Sequence, residues 1–431
     1  MQSINVATDE DAFAGLSTFI YSGQSVAADF RYDLVGVGLF HPFIQNAVGQ
    51  RFLAREFGMS VKDMAQFDEV LHGLKFATKL RKNALCFGFS LIFAPKFSES
   101  MQTVLYPLKF KPIFKDKIWG GRKIKEQLGM DYGPLPNCGE VWLLSGLWDE
   151  QSEVANGDFV GDEINDLVET FMGDLVGESV FDKYGEQFPL LLKIIDANDW
   201  LSVQVHPDDE LAEKRGIGNG KTEMWYVMHA DKDAELVMGF NREMTRMDYV
   251  KVMKNNTLRD VLNYEKVEAG DVFFIPAGRV HALGPDIMVA EIQQTSDTTY
   301  RIYDWDRINE AGMSRELHIP QSVEAIDFAI PDQYKIEVQD VMNKTVPVVD
   351  CQFFVTNLLQ LQGEMEKDYS NLDSFVILLC TEGIFSLVWE NGAVFVKQGE
   401  CVLIPNIVKK VSIRAERYCK LLEVYCQVEE S

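Results

Sequence analysis

The sequence has few of the residues that would indicate a disulfide framework or a thiolate metal site. Its seven cysteines are scattered and odd in number, and no two of them form a C-x-x-C pair. Cysteines used in this way pack as small apolar residues in a reducing compartment. We therefore expect a cytoplasmic protein without thiolate zinc sites.

Basic residues are also few relative to acidic residues. The sequence has 41 Lys and Arg and 66 Asp and Glu, which gives a net charge of −25. A field of that sign repels phosphate backbones and anionic lipid headgroups. Nucleic acid and membrane surfaces are therefore not expected as partners, and an anionic substrate would need local cations. Residues 1–100 carry nine basic and ten acidic side chains, so nearly all of the acidic excess lies beyond them.

Segments typical of secretion or membrane insertion are lacking as well. The first basic residue is Arg31, so the positive region of a signal peptide is not expected. The longest apolar run, residues 84–95, has about 12 residues, whereas a transmembrane helix needs about 20. We interpret this run as a buried strand or helix.

The length of 431 residues exceeds what one hydrophobic core usually supports, so several domains are expected. We predict an N-terminal extension over residues 1–100, a domain over 101–335 and a second domain over 336–431. The extension shows loose helical periodicity between residues 53 and 80. Its role is left open between a dispensable extension and an interaction or structural domain.

Short apolar segments separated by Gly, Pro and Asp follow one another from residue 189 onward. This spacing predicts a mainly β fold, a sandwich or a jelly-roll barrel. Helical periodicity over residues 161–185 and 242–262 predicts small helical insertions.

An internal repeat indicates two barrels in tandem. Residues 270–276 read GDVFFIP, and residues 399–405 read GECVLIP. Counted from the proline of each copy, His281 corresponds to Lys410. If His281 binds metal, only the first barrel holds a metal site.

Two of the six histidines, His206 and His281, occur in patterns that suggest metal binding. Gln204 and His206 are two residues apart on a predicted strand and therefore share a face, and Glu223 begins another strand. His281 ends a G-x5-P-x-G-x2-H pattern, which resembles the second motif of the cupin superfamily. The two other histidines of this β region, His229 and His318, are interpreted as structural.

Two imidazoles, a carboxylate and an amide oxygen suit a divalent cation. Zinc is the best match, and Fe(II), Mn(II) and Co(II) remain alternatives on ligand type alone. Because glutamine is a weak ligand, such an ion favours polarising a substrate oxygen or acidifying a water over redox chemistry.

Charged residues near these motifs could serve an anionic substrate. Glu291 and Gln293 share one strand face, and Arg301 follows where that strand ends. Arg301, Lys221 and Lys193 are predicted to converge on the metal cavity. The alternative is that each is a solvated surface charge.

Several segments resemble the type I phosphomannose isomerase family in its short bacterial form. They are LKFKPIFKDKIWGG, GEVWLLSG, PLLLKIIDANDWLSVQVHPDD, GKTEMWYV, GDVFFIPAGRVHAL and EIQQTSDTTYRIYDWDR. The resemblance extends from about residue 101 to 307, and more weakly to the C-terminus. It does not include residues 1–100.

The resemblance implies interconversion of mannose 6-phosphate and fructose 6-phosphate at one zinc ion per chain. We expect the protein to be a monomer or a small homo-oligomer. It implies zinc ligands at Gln204, His206, Glu223 and His281. Catalytic residues are implied at Arg301, Lys221 and Glu291, and Ser202 with Lys221 and Arg301 would bind the substrate. Trp119 is expected to shape the pocket, with a core aromatic as the alternative.

An aldose–ketose isomerase must move a proton between C2 and C1 through a cis-enediol. An electrophile beside the oxygens and a base near the carbons are required. Arg301 and zinc would supply the electrophile. Glu291, a zinc-bound hydroxide and Lys221 remain alternatives for the base.

Two other functions are compatible with the motifs. One is a different metal cupin, an oxygenase or a sugar-nucleotide epimerase. The other is a non-catalytic module that binds a sugar phosphate.

Overall fold

The computed structural model describes residues 105–308 and 312–428. The extension predicted over residues 1–100, with its helical periodicity, lies outside the described residues. Among the helices that are described, none has the length and apolar character needed to span a membrane.

The first two thirds of the described chain form a mixture of strands and short helices. The strands are β1 (Ile113–Lys115), β2 (Glu140–Ser145), β3 (Leu190–Ala197), β4 (Val203–Val205), β5 (Glu223–Ala230), β6 (Glu235–Phe240), β7 (Leu262–Lys266), β8 (Val272–Ile275), β9 (His281–Ala282), β10 (Ile287–Gln294), β11 (Tyr300–Tyr303) and β12 (Lys335–Ile336). The α-helices are α1 (Lys123–Glu126), α2 (Ile164–Val176), α3 (Glu178–Tyr184), α4 (Asp209–Arg215), α5 (Arg246–Lys254) and α6 (Ile319–Ala325). Two 3₁₀ turns lie at Gly157–Phe159 and Leu258–Val261.

These strands build two sheets. The first sheet has the order β1-β2-β3-β10-β5-β8-β12, and the second has the order β11-β4-β9-β6-β7. One apolar cluster contains Trp225 and Phe273 from the first sheet with Leu236 and Met238 from the second, so the two sheets share a core. The faces that meet in this cluster are called the inner faces below.

A second apolar cluster covers the other face of the second sheet. There Val205 packs with Tyr249 of α5, with Leu258 and with Ile326, which follows α6. α5 begins with a capping box, in which the Thr245 hydroxyl and the Asp248 backbone N–H meet at 3.2 Å. The helix predicted over 242–262 is shorter than expected. It ends at residue 254, and the rest of the predicted segment includes the 3₁₀ turn at Leu258–Val261 and the first residue of β7.

The C-terminal part forms a third sheet. Its strands are β13 (Thr345–Asp350), β14 (Val355–Asp368), β15 (Val376–Glu382), β16 (Ile384–Trp389), β17 (Gly392–Lys397), β18 (Cys401–Ile404) and β19 (Lys410–Tyr425). The order is β13-β14-β19-β15-β18, and β16 pairs with both β17 and β19. The prediction of a mainly β fold with small helical insertions is confirmed. The assignment of two tandem cupin-type jelly-roll barrels stays a prediction.

The sequence repeat corresponds to equivalent local structure. Gly270 precedes β8 with φ +99°, and Gly399 precedes β18 with φ +85°, a backbone region that favours glycine. His281 begins β9 and is fully buried, whereas Lys410 begins β19 with a side chain that is 75% exposed. At equivalent positions, the first copy of the repeat therefore has a buried imidazole and the second has a solvent-exposed lysine.

The third sheet contacts the first part of the chain through buried aromatic rings. The rings of Phe188 and Phe375 are both fully buried, with centroids 4.7 Å apart. The Phe375 backbone N–H also donates to the carbonyl of Val176 at 3.1 Å. Phe375 thus fills space between the two parts of the chain.

We expect Phe375→Ala to lower the free energy of unfolding by about 3–5 kcal/mol, because it opens a cavity in a closely packed contact. Denaturant unfolding followed by tryptophan fluorescence measures this change. Phe395→Ala is the control, since that ring is 70% exposed and its loss should cost about 0.5 kcal/mol or less. Equal losses for the two variants would contradict the proposed packing role.

Candidate metal centre and active site

Three side chains meet between the first and second sheets. His206 directly follows β4, Glu223 begins β5 and His281 begins β9, so all three lie at strand ends. Their ligand atoms lie within 4.8 Å of one another, and all three residues are buried. The folding of the two sheets therefore brings together residues that are up to 75 positions apart in sequence.

Backbone carbonyls fix the orientation of both imidazoles. His206 Nδ1 lies 2.8 Å from the Thr298 carbonyl, and His281 Nδ1 lies 2.9 Å from the Arg279 carbonyl. A carbonyl can only accept, so each Nδ1 carries the proton and each Nε2 presents a lone pair. This arrangement is typical of histidines that bind metal through Nε2.

The free acceptors of these residues face one another. Glu223 Oε1 lies 3.2 Å from His281 Nε2, and Glu223 Oε2 lies 3.6 Å from His206 Nε2. Among the described residues, His206 Nε2 and Glu223 Oε1 have no hydrogen-bond partner, whereas Glu223 Oε2 contacts the Lys221 ammonium at 3.0 Å. Buried acceptors that face each other without a donor are costly, and a cation between them removes that cost. The donor set therefore fits a divalent metal.

Burial acts on the protonation of the two imidazoles in the direction that metal binding needs, and on that of Glu223 in the opposite direction. It lowers the pKa of His206 well below its usual value, and the nearby Lys221 adds to this shift. It lowers the pKa of His281 to about 4. Both imidazoles are therefore neutral at physiological pH. Burial also raises the pKa of Glu223, although Lys221 opposes the shift.

Gln204 also reaches this group. It pairs with His281 across the β4–β9 ladder, and its side-chain amide lies 3.2 Å from His281 Nε2. The amide nitrogen and oxygen of a glutamine can exchange places by a simple rotation. Such a rotation would present the oxygen as a fourth ligand.

A row of charged and aromatic residues crosses the inner face of the first sheet beside this centre. Glu291 is in register with Lys193 on β3 and with Trp225 on β5. Glu291 Oε1 accepts from Trp225 Nε1 at 2.9 Å, and Oε2 lies 3.2 Å from Lys193 Nζ. Burial alone would raise the pKa of Glu291, but Lys193 and Lys221 outweigh it and hold the pKa low. Glu291 is thus a fixed, ionised carboxylate.

Lys221 forms the charge contact nearest to the centre. It is 4% exposed, and its Nζ lies 3.0 Å from Glu223 Oε2. The alternative of a solvated surface charge does not describe Lys221 or Lys193, because both are buried. Together the buried cations Lys193 and Lys221 balance the carboxylates Glu223 and Glu291.

Arg301 lies on β11, in register with Gln204 on β4. Residues opposite each other in an antiparallel pair share a face, so Arg301 is on the same face as Gln204. Its Nη1 donates to the Glu316 carbonyl at 2.9 Å, and its Nε has no hydrogen-bond partner among the residues described. The guanidinium is thus held by one contact and keeps other donors for a ligand.

The remaining predicted residues differ in their surroundings. Ser202 is 5% exposed and lies two residues before Gln204, directly before β4. Trp119 is 5% exposed and packs in the apolar cluster between the sheets, which are the surroundings of a core aromatic. His229 pairs with Asp231 at 2.9 Å, and His318 Nδ1 accepts from the Arg301 backbone N–H at 3.1 Å. These contacts give both histidines structural partners.

Sequence reasoning missed several supporting groups. The carbonyls of Thr298 and Arg279 orient the imidazoles, and Trp225 holds Glu291 while its ring stacks edge-on against His281 at 5.4 Å. No residue type identifies a carbonyl anchor, since every residue has one. Trp225 did carry a signal, because it lies two positions after Glu223 and therefore on the same strand face.

Comparison with known proteins gives consistent results. Residues 107–240 match the family model described as phosphomannose isomerase type I, catalytic domain. The chain is 36% identical over 307 residues to mannose-6-phosphate isomerase ManA of Bacillus subtilis (strain 168), covering 69% of this chain and 93% of that protein. It is 34% identical over 306 residues to a mannose-6-phosphate isomerase of Streptococcus mutans, covering 70% and 93%.

Solved structures show the same relationship. The mannose 6-phosphate isomerase from Bacillus subtilis aligns with a TM-score of 0.66 and 31% identity, over 74% of this chain and 99% of that one. A putative mannosephosphate isomerase from Archaeoglobus fulgidus aligns with a TM-score of 0.60 over 76% of this chain and all of that one. At 21% identity the second match supports the fold alone.

We expect His281→Ala to release the bound metal, because it removes a lone pair that the Arg279 carbonyl directs at the centre. Elemental analysis of the purified protein measures the metal-to-protein ratio, which should fall at least tenfold. His229→Ala is the matched control, since that imidazole pairs with Asp231 away from the centre. Full metal content in His281→Ala would exclude His281 as a ligand.

Proposed function

The chain belongs to the type I phosphomannose isomerase family, whose members are isomerases, and on that premise we propose that it interconverts mannose 6-phosphate and fructose 6-phosphate at a zinc ion. The observation that carries this proposal is the group of facing acceptors at His206, Glu223 and His281. A cation is the ligand that such a group requires.

We propose that one zinc ion per chain is held by Gln204, His206, Glu223 and His281. A neutral amide, two neutral imidazoles and one carboxylate leave half of the ion's formal charge uncompensated. Bound there, zinc would polarise the carbonyl or hydroxyl oxygens at C1 and C2 of the substrate.

The charge balance of the site supports an anionic substrate. Without metal, Lys193 and Lys221 balance Glu223 and Glu291, so the buried group is close to neutral. A divalent cation would make it positive, and Arg301 adds a further permanent charge. In a protein with a net charge of −25, this local positive region would attract a sugar phosphate.

The residues of the chain can perform the remaining tasks of a cis-enediol mechanism. Arg301 would donate hydrogen bonds to the oxygens of the enediol, where negative charge develops. Glu291 and Lys221 are the groups that we propose for moving the proton between C2 and C1. Ser202, beside Gln204, would contact the substrate, and Trp119 would support the wall of the pocket from the core.

We also propose that the two parts of the chain have different roles. All proposed ligands and catalytic residues belong to the segment predicted as the catalytic domain, residues 101–335. The segment 336–431 would be a metal-free domain of the same type, because Lys410 occupies the position equivalent to His281.

A coupled assay with mannose 6-phosphate tests the function directly. We expect turnover in the purified chain, at least a hundredfold loss after chelation and full recovery when zinc is added back. A sample carried through the same steps without chelator is the control. Absence of turnover in the zinc-loaded chain would contradict the proposal, and iron-dependent oxygen consumption would favour an oxygenase.

We expect Arg301→Ala to reduce kcat about a hundredfold or more while zinc stays bound, because the arginine stabilises charge that develops during the reaction. Steady-state kinetics and metal analysis of the same sample measure both quantities. Arg301→Lys should recover part of the loss, since it restores the charge without the planar fork. Arg414→Ala is the control, because that side chain is 53% exposed on the third sheet. Near-normal turnover in Arg301→Ala would remove Arg301 from the mechanism.

A further inference from the structure

Gln293 is a fully buried amide on the inner face of the first sheet, and the proposed mechanism does not use it. It lies on β10, two residues beyond Glu291, and is therefore on the same face. Across the β10–β5 ladder it is in register with Glu223. Gln293 is thus a direct neighbour of the proposed metal ligand on the adjoining strand.

Hydrogen bonds fix the orientation of this amide. Gln293 Nε2 donates to the Gln294 carbonyl at 2.9 Å and to the Ser296 carbonyl at 2.6 Å. Rotating the amide by half a turn would place its oxygen against two carbonyl oxygens, which cannot donate. The positions of Nε2 and Oε1 therefore follow from the surrounding contacts.

The oxygen of the same amide has no hydrogen-bond partner among the described residues, although it is buried. Its cross-strand neighbours are Leu191 on β3 and Glu223 on β5. An aliphatic side chain and a carboxylate cannot donate a hydrogen bond to it. The two lysines of the site, Lys193 and Lys221, contact Glu291 and Glu223, and neither donates to this oxygen.

A buried acceptor without a donor destabilises a folded protein unless another molecule supplies the missing hydrogen bond. The adjacent Gln294 shows the contrast. Its Nε2 donates to Asp209 at 3.0 Å, and its Oε1 accepts from the Thr222 backbone N–H at 2.8 Å. Of these two neighbouring amides, only the one on the inner face keeps an open acceptor.

We propose that Gln293 Oε1 accepts a hydrogen bond from one hydroxyl group of the sugar phosphate and so contributes to substrate specificity. This inference rests on the proposed function, because it assigns a further substrate contact in the same site. A site with a fixed acceptor discriminates against ligands that lack the matching hydroxyl, because the acceptor is then buried without a partner.

The test uses mannitol 6-phosphate, which has no carbonyl group and cannot be isomerised, together with its five monodeoxy derivatives at C1 to C5. Calorimetric titration of the zinc-loaded full chain gives each dissociation constant. For one derivative we expect binding about threefold to tenfold weaker than that of the parent, from the loss of one hydrogen bond to Gln293. For each derivative, the dissociation constant divided by that of mannitol 6-phosphate gives one ratio. The ratios of the four other derivatives report the contacts of the other four hydroxyls.

In Gln293→Met, the ratio for that one derivative should fall to within twofold of unity, while the other four ratios stay as in the wild type. Gln293→Asn provides a second variant. It keeps an amide that can donate toward the Ser296 carbonyl, but its side chain is one methylene shorter, so the amide oxygen lies farther from the substrate. Gln294→Met is the matched control and should leave all five ratios unchanged. Metal analysis of each sample verifies equal zinc content.

Uniform weakening of all six ligands by Gln293→Met and Gln293→Asn would overturn the inference, because it would mean that Gln293 only supports the 294–296 segment. Unchanged affinities would overturn it as well, since an ordered water would then satisfy Oε1. The proposed function is tested separately by turnover of mannose 6-phosphate in the wild type. If the wild type turns over mannose 6-phosphate but the Gln293 variants keep all five wild-type ratios, the role of Gln293 is rejected and the proposed function is not.

Discussion

The site depends on the contact between one buried carboxylate and two neutral imidazoles. Glu223 directs its oxygens at the Nε2 atoms of His206 and His281, and none of these atoms can donate to another. In a low-dielectric interior such a group is unfavourable without a cation. The rest of the site compensates for this group: carbonyls hold the imidazoles in one tautomer, and Lys221 balances the carboxylate from the side.

The strand register determines which other residues surround the centre. The inner positions of β10 change from Val289 to Glu291 and Gln293 along the strand, so the same face is apolar at one end and polar at the other. Neighbouring strands follow the same pattern, with Ile195 then Lys193 on β3 and Val227, Trp225 then Glu223 on β5. A continuous core therefore supports the polar end and keeps its side chains in fixed positions.

Much of the fold was predictable from the sequence because its strands are short, apolar and bounded by Gly, Pro or Asp. The same holds for His206, Glu223 and His281. His206 follows the Q-x-H pattern of a predicted strand, Glu223 begins the next strand, and His281 ends the G-x5-P-x-G-x2-H pattern. Other features were not predictable, because they depend on non-local geometry. Residue type did not reveal that Trp119 would pack in the apolar cluster between the sheets. Strand alternation places Gln293 and Gln294 on opposite faces, but the sequence did not show which groups of other strands and loops would lie against each amide.

The anchors of the two imidazoles are main-chain atoms, and this has a consequence for how the centre tolerates sequence change. A replacement at position 279 or 298 alters the side chain but leaves the carbonyl in place, so the ring beside it keeps its protonation pattern. The tautomers are therefore insensitive to amino-acid substitutions at positions 279 and 298, although the carbonyls of these residues determine them. What they do require is the path of the backbone, so insertions or deletions near these two loops would be far more harmful than point substitutions.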